Sequence, residues 1–231
     1  MQLGRLLIAA LAAATLFACA ETRQAGEAEE SGFLGDYSRL QNGEEGEALL
    51  VYKNPAANWA SYDKVMLDPI TFWRDPGAED DGISPEDRQN LVNNFHKMIH
   101  DALSKDYQMV NQPGPNTLRV QVAITRADQS NPVADTVSTI VPQMLVVGSA
   151  TEYATGNTLF GGQASVEARI TDAQTGKILF EGVDRRKGAK NIIGATDSWA
   201  DVNEAMQYWA DKAAYRLCEL RGGKDCVEPE A

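Results

Sequence analysis

The fold is decided by one stretch in the second half of the chain, Ala164-Ser-Val-Glu-Ala-Arg-Ile-Thr-Asp-Ala-Gln-Thr-Gly-Lys-Ile-Leu-Phe-Glu-Gly-Val183. Apolar and polar side chains alternate at its start, which is typical of a half-buried strand. Turn residues follow at 172–176, and Lys177–Val183 returns. The pattern predicts a β-hairpin. The alternating residues are Val166, Ala168 and Ile170 on one side and Ser165, Glu167 and Arg169 on the other.

Further strands are predicted upstream of this hairpin. Leu118–Thr125 alternates in the same way, Tyr107–Val110 precedes it, and the turn-rich residues 111–116 separate the two. Residues 62–68 predict another strand, which Pro69 ends.

Two amphipathic helices complete the pattern. Ser84-Pro-Glu-Asp87 predicts a helix start, with Ser84 as N-cap, proline at the first helical position and acidic residues in the first turn. Ser198 is expected to cap the second helix in the same way. Apolar residues recur at helical spacing after both starts. They are Leu91, Val92, Phe95, Met98, Ile99, Ala102 and Leu103 in the first helix, and Trp199, Val202, Met206, Trp209, Ala213, Leu217 and Leu220 in the second.

These elements predict an α+β fold. We expect a largely antiparallel sheet of four to five strands with the two main helices packed on one face. A single globular domain should span residues 32–221, and a polar tail should follow over 222–231.

The charge balance excludes one class of partner. The 231 residues contain 21 Lys and Arg against 33 Asp and Glu, a net charge of −12. Nucleic-acid binding needs a basic surface, so no nucleic-acid partner is expected.

The first eighteen residues predict a secretory signal peptide. Arg5 is followed by an apolar run from Leu6 to Ala18, and thirteen residues are too few to cross a bilayer as a helix. Leu16-Phe-Ala-Cys19 resembles the lipobox of bacterial lipoprotein precursors, in which the Cys is lipidated and becomes the first residue. An ordinary signal with an accidental Cys is the alternative.

The resemblance to Gram-negative lipoproteins also implies a location. Ala20 follows the Cys, whereas Asp at this position is typical of inner-membrane retention. We therefore expect a protein that is lipid-anchored in the outer membrane and faces the periplasm. The polar residues 19–31 predict a flexible tether, and residues 31–40 predict a short segment that docks on the domain.

The other two cysteines, Cys218 and Cys226, lie eight residues apart at the end of the last helix. The periplasm is oxidising, so we expect a disulfide between them. A metal pair is less favoured, because no His or second Cys pair is nearby.

Several blocks of sequence together carry a family resemblance. They are Ser31–Leu40, Leu50–Pro55, Trp59–Pro69 with Phe72-Trp73, and the later positions Val166-Glu167, Asp172, Thr175-Gly176 and Trp199. These blocks resemble the bacterial lipoprotein family known as domain of unknown function 3313. The resemblance covers about residues 31–220. It implies an envelope lipoprotein but carries no catalytic residues, because the family has no assigned activity.

Residues 126–163 are harder to interpret. Val137, Ile140, Val141, Met144 and Leu145 fall on one helical face, which Pro142 interrupts. The face either meets a membrane or a partner, or packs on the core. Arg185-Arg-Lys187 leaves a similar choice between a solvated strand end and contact with lipid headgroups, peptidoglycan acids or an acidic partner.

No catalytic or cofactor motif is present in the sequence. His96 and His100 are four residues apart, but the Glu of the metalloprotease pattern is absent, so neither a metal nor a cofactor is expected. We therefore favour a non-enzymatic accessory domain that binds another envelope protein or peptidoglycan. The alternative is a periplasmic hydrolase with Asp63, Asp68 and Asp75 around a cleft.

Lipidation makes the first prediction. Cys19→Ser should abolish acylation and impair signal removal, because the thiol is the acceptor of the lipid. Metabolic labelling with a palmitate analogue, followed by mass measurement of the N-terminus, checks it. Labelling of the variant at the wild-type level would contradict the assignment.

Overall fold

The structure, a computed structural model, describes residues 22–74, 81–130, 162–188 and 197–230. These residues form nine strands, two α-helices and one short 3₁₀ turn at Trp59–Ser61. The strands are β1 (Arg23–Gln24), β2 (Gln41–Asn42), β3 (Leu50–Lys53), β4 (Lys64–Leu67), β5 (Thr71–Phe72), β6 (Gln108–Met109), β7 (Thr117–Asp128), β8 (Gln163–Asp172) and β9 (Ile178–Lys187). The helices are α1 (Pro85–Leu103) and α2 (Ala200–Leu220).

All nine strands belong to one mixed sheet. Its main path runs β2-β3-β9-β8-β7-β4-β6, with β1 added beside β9 and β5 added beside β7. The long strands β7, β8 and β9 are antiparallel neighbours, so the predicted β8–β9 hairpin is present. Ala168 lies opposite Val122 on β7 and opposite Gly182 on β9.

The α+β class is confirmed, but the predicted sheet is too small and too uniformly antiparallel. Strand β4 pairs in parallel with both β7 and β6, and β5 pairs in parallel with β7. Helix α1 connects β5 to β6, and this crossover returns the chain in the same direction. Strand β4 therefore lies between β6 and β7, and no hairpin joins those two strands.

The start of α1 is as predicted and the start of α2 is not. The Ser84 hydroxyl accepts a hydrogen bond from the Asp87 N–H at 3.0 Å, with Pro85 at the first helical position. Helix α2 begins at Ala200 after Trp199, which has no side-chain cap, so the assignment of Ser198 as N-cap is wrong. Asp197, the residue before Ser198, instead accepts a hydrogen bond from the Trp199 N–H at 2.9 Å.

Both helices pack against each other and against one face of the sheet, which we call the helix face. The core between this face and the helices is apolar. Every second residue of the strands and every third or fourth residue of the helices points into it, and these positions carry apolar side chains. Trp199 and Trp209 are only partly buried against it, and Leu220 is exposed. Buried members include Phe95 and Ile99 of α1, Met206 and Leu217 of α2, and Val120, Val122, Val166 and Ile170 of the sheet.

The opposite face, here the back face, buries charge. The side chains of Glu167 and Glu181 are fully buried there, and Arg169 bonds both Glu181 (2.7 Å) and the carbonyl of Leu34. Arg39 approaches the second Glu181 oxygen at 3.5 Å. Residues 31–40, here the covering segment, therefore lie over the Arg169–Glu181 ion pair.

The carboxylate of Glu167 holds this covering segment in place. It accepts hydrogen bonds from the Ser31 N–H at 2.8 Å, the Leu34 N–H at 3.3 Å and the Tyr37 hydroxyl at 2.7 Å. Trp73 donates from its indole to the carbonyl of Ser31 at 3.1 Å. The docking predicted for residues 31–40 is therefore present.

Residues 22–25 differ from the flexible tether that the sequence predicts over residues 19–31. Strand β1 pairs with the end of β9, with Arg23 opposite Lys187, and both Thr22 and Ala25 are buried. Composition alone misses this arrangement, because the stabilising partners are the backbone and side chains of β9.

Nor is the basic run 185–187 a solvated strand end. Arg185 and Arg186 are 6% and 3% exposed. The guanidinium of Arg186 stacks on the ring of Tyr208 at 3.5 Å and donates to the hydroxyl and carbonyl of Thr22. Arg186 therefore holds Thr22, just before β1, against β9 and α2, and neither arginine faces solvent.

Past α2, a disulfide joins Cys218 to Cys226 in the structure. Glu228 also pairs with Lys212 at 2.7 Å, so part of the polar tail lies along α2.

Several predicted features lie outside the described residues. They are the signal peptide, Cys19, Asp75 and the apolar face of Val137, Ile140, Val141, Met144 and Leu145. Neither α1 nor α2, the helices of the described part, is long and apolar enough to span a membrane.

The buried carboxylate makes the second prediction. Glu167→Ala should lower the free energy of unfolding by about 2–4 kcal/mol, because two N–H groups and a hydroxyl lose their acceptor. Urea unfolding measures the loss. Glu219→Ala, at a half-exposed position, is the control and should change stability by under about 0.5 kcal/mol. Equal effects of the two changes would refute the role of Glu167.

Candidate functional site: an apolar cavity between helix α2 and the sheet

A cavity of about 380 Å³ lies between the helix face of the sheet and the two helices. Its volume falls in the range of small-molecule sites, which are mostly apolar with a few polar groups. The floor is formed by β7, β8 and β9, and the roof by the C-terminal halves of α1 and α2. Val122, Val166, Ile170, Ile99, Trp209 and Leu217 are among the lining residues.

Small residues at facing positions explain why this space is not filled. Ala168 and Gly182 are cross-strand partners on the floor, and Ala213 faces the cavity from α2. A Cβ atom at Gly182 would lie 2.9 Å from the ring of Phe180, so this position accepts no larger side chain without a shift of that ring. The short side chains of Ala168 and Ala213 therefore leave a gap where Leu or Phe would close the core, while the space over Gly182 is taken by the Phe180 ring.

We define the mouth of the cavity as the polar part of its lining, formed by the loop Gly46–Ala48 and by the cations Lys53, Lys212 and Arg216, because charged side chains keep contact with water. Each cation has an acidic partner. Lys53 pairs with Glu47, Lys212 with Glu228 at 2.7 Å, and Arg216 with Glu219 at 2.8 Å. Arg216 also donates to the carbonyl of Gly46 at 3.2 Å.

One buried carboxyl lines the cavity near this opening. Asp184 accepts hydrogen bonds from the indole N–H of Trp209 at 2.7 Å, the amide of Gln24 at 2.6 Å and the Leu49 N–H at 3.2 Å. Burial raises the pKa of Asp184 above its ordinary value, while the donors from Trp209 and Gln24 oppose that rise. The carboxyl thereby ties α2, β1 and the mouth loop to β9.

The hydrolase alternative requires carboxylates that converge on a cleft, and those named from the sequence do not. Asp68 forms a bidentate pair with Arg119 (2.7 Å to Oδ2 and 3.1 Å to Oδ1), and the side chain of Asp63 is largely exposed beside Lys64. Neither residue lines the cavity.

A different carboxyl pair, Asp201 and Glu204, lies in the first turns of α2. Burial raises the pKa of both, and the charge of Asp201 raises that of Glu204 further. Asp201 fits against the backbone of two glycines and accepts the N–H of Gly162 at 2.6 Å. Neither side chain lines the cavity, and Asp201 holds the start of α2 to the residue before β8.

His96 and His100 have stacked rings with centroids 6.5 Å apart on α1. Within the described ranges, no group of three or more His, Cys, Asp or Glu side chains could hold a metal ion.

Sequence reasoning missed the cavity. Strand periodicity places Ala168 and Gly182 on the helix face but does not show that they lie opposite each other. Small residues at inward positions of β8, β9 and α2 are the signal that could have indicated the cavity. Using that signal requires the register of the strands, which the sequence alone does not give.

The family is shown by sequence comparison. A sequence model of the family described as "Protein of unknown function (DUF3313)" matches residues 29–213, so the chain belongs to that family. This confirms the resemblance. The uncharacterized lipoprotein YdcL of Escherichia coli strain K12 is 27% identical over 160 residues, which cover 68% of this chain and 71% of the relative.

Solved structures with a similar chain path are more distant. A PelC dodecamer from Paraburkholderia phytofirmans has a TM-score of 0.39 at 10% identity, covering 76% of this chain and 96% of that one. Protein XCC0632 from Xanthomonas campestris has a TM-score of 0.39 at 8% identity, covering 74% and 91%. At these scores neither similarity bears on function.

The bond between Trp209 and Asp184 makes the third prediction. Because the pKa of Asp184 is raised in the folded state, the protein loses folding stability as pH rises through that pKa. Trp209→Phe removes a hydrogen-bond donor that limits this loss. The cost of Trp209→Phe should therefore grow from about pH 4 to neutral pH, towards about 1.5–3 kcal/mol. Urea unfolding across this range measures it. In an Asp184→Asn background the cost should not depend on pH, and an equal pH dependence in both backgrounds would contradict the assignment.

Proposed function

We propose that this protein is a cell-envelope lipoprotein, lipidated at Cys19, anchored in the outer membrane and facing the periplasm. Its domain is a non-enzymatic binding module that takes an apolar ligand in the cavity. The lipobox at 16–19, the family and the lipoprotein relative support the anchor. The cavity supports the binding role.

The observation that carries the binding role is the chemistry of the cavity wall. An active site for hydrolysis needs an acid, a base or a nucleophile beside the substrate. This cavity is lined mainly by aliphatic and aromatic side chains, and its one buried carboxyl, Asp184, is already engaged by three donors. Such a wall selects a ligand by apolar contact.

Binding of an apolar probe makes the fourth prediction. The chain from residue 20, exported with an ordinary secretory signal, contains every described residue and no lipid. We expect N-phenyl-1-naphthylamine to bind it saturably, with one site per chain, as measured by the rise in probe fluorescence. Ala213→Leu should weaken binding about tenfold, because the added carbons occupy the cavity.

The matched control is Ala56→Leu, which adds the same carbons at an exposed position. It should bind the probe as the wild type does. Equal binding by both variants would remove the cavity as the site, and no saturable binding by the wild type would refute the binding role. Steady turnover of ester or glycoside substrates by the wild type would favour the hydrolase instead.

A further inference from the structure

The distance between the lipidated residue and the folded domain is short. Thr22, the first described residue, follows Cys19 by three residues. Three residues reach at most about 11 Å even when fully extended. The domain therefore begins within that distance of the residue that carries the acyl chains.

Nor can the chain lengthen this connection by releasing β1 at small cost. Thr22 is 7% exposed, and its hydroxyl and carbonyl are both engaged by Arg186, itself stacked on Tyr208. The next residues pair with β9, and the Ala25 N–H donates to the carbonyl of Arg185 at 2.9 Å. Detaching this segment would expose a buried cation and break its charge-assisted bonds.

The mouth of the cavity lies beside the same strand. The side-chain amide of Gln24 in β1 donates to the carbonyl of Glu47 at 2.9 Å and to Asp184 at 2.6 Å, so it touches both the mouth loop and the cavity wall. Asp184 is three residues from Lys187, the partner of Arg23, which is about 10 Å along a strand. The cavity thus opens close to the point where the domain meets its anchor.

The borders of the mouth fit a phosphate group. Lys212 and Arg216 are paired with Glu228 and Glu219, whose side chains are 57% and 40% exposed. The Arg216–Glu219 pair is exposed on both sides and contributes only about 0–1 kcal/mol, whereas the Lys212 side chain is 13% exposed and largely covered. A phosphate can therefore take over Arg216 from Glu219 at little cost, and Arg binds phosphate through two donors, while the charge of Lys212 lies beside it on the same helix.

We propose that the cavity binds an acyl chain of a glycerophospholipid drawn from the bilayer that holds Cys19, with the lipid phosphate at the cations of the mouth. This inference rests on the proposed function and specifies its ligand. The apolar wall takes the chain, the mouth takes the headgroup, and the short anchor brings the mouth to the membrane surface.

The test uses the full lipidated chain purified from envelopes and exchanged into a detergent that keeps bound lipid. Intact mass measurement first establishes acylation of Cys19. Lipid extraction and native mass spectrometry should then find about one glycerophospholipid per chain. Ala213→Leu should retain about tenfold less lipid, and Ala56→Leu should match the wild type.

A second pair of variants tests the mouth without filling the cavity. Lys212→Gln combined with Arg216→Gln should lower phospholipid retention several-fold and leave the naphthylamine probe bound, because that probe carries no phosphate. Lys97→Gln, on the exposed side of α1, is the control and should have no effect. Thermal midpoints of all variants identify any that fail to fold.

The outcomes separate the two proposals. If the acylated protein binds the probe but retains no phospholipid, or retains only free fatty acid, the phospholipid inference is overturned and the binding role stands. If neither probe nor phospholipid binds, both are overturned. Phospholipid retained equally by Ala213→Leu would place it outside the cavity and overturn the inference.

Discussion

The structure depends on a buried carboxylate that needs a partner from elsewhere in the chain. Glu167 is fully buried in the middle of β8, where an uncompensated charge would be strongly destabilising. Its three donors all come from residues 31–37, more than a hundred positions earlier in the sequence. The covering segment is therefore part of the fold, because without it the sheet would expose an apolar and charged back face.

The two faces of the sheet differ, because one buries charged side chains and the other borders the cavity. The first described residues contact both faces. On the back face, Glu167 and Arg169 are hydrogen-bonded to the covering segment, and Arg169 also pairs with Glu181. On the helix face, small side chains leave the cavity open. Strand β1 closes the edge between them, since Gln24 reaches Asp184 at the cavity while Ala25 is bonded to β9. The first described strand thus lies beside the mouth.

Elements with a strong local pattern could be predicted from the sequence. Ser84-Pro85 marks the start of α1, and the alternation from Val166 onwards marks the hairpin, because capping and period-two patterns are local. Strands of two residues, such as β1 and β5, cannot show a period of two. Their existence depends on the unpaired edges of β9 and β7, which the sequence does not display.

The same limit applies to the site. The run at 185–187 resembles a solvated strand end, since burial of Arg186 becomes visible only when Tyr208 and Thr22 are brought beside it. The cavity depends on the register that sets Ala168 against Gly182. The lipobox and the family blocks pointed to a lipoprotein of this family, because those features are contiguous in the sequence.

The central claim is that the chain is fixed to the sheet from Thr22 onwards, so that the domain stands close to the proposed anchor at Cys19. Hydrogen–deuterium exchange of the lipidated protein in vesicles tests it most directly. The amides of Ala25, Ser31 and Leu34, which donate to Arg185 and Glu167, should exchange far more slowly than an unfolded chain. Exchange of all three at the rate of an unstructured peptide would contradict the account.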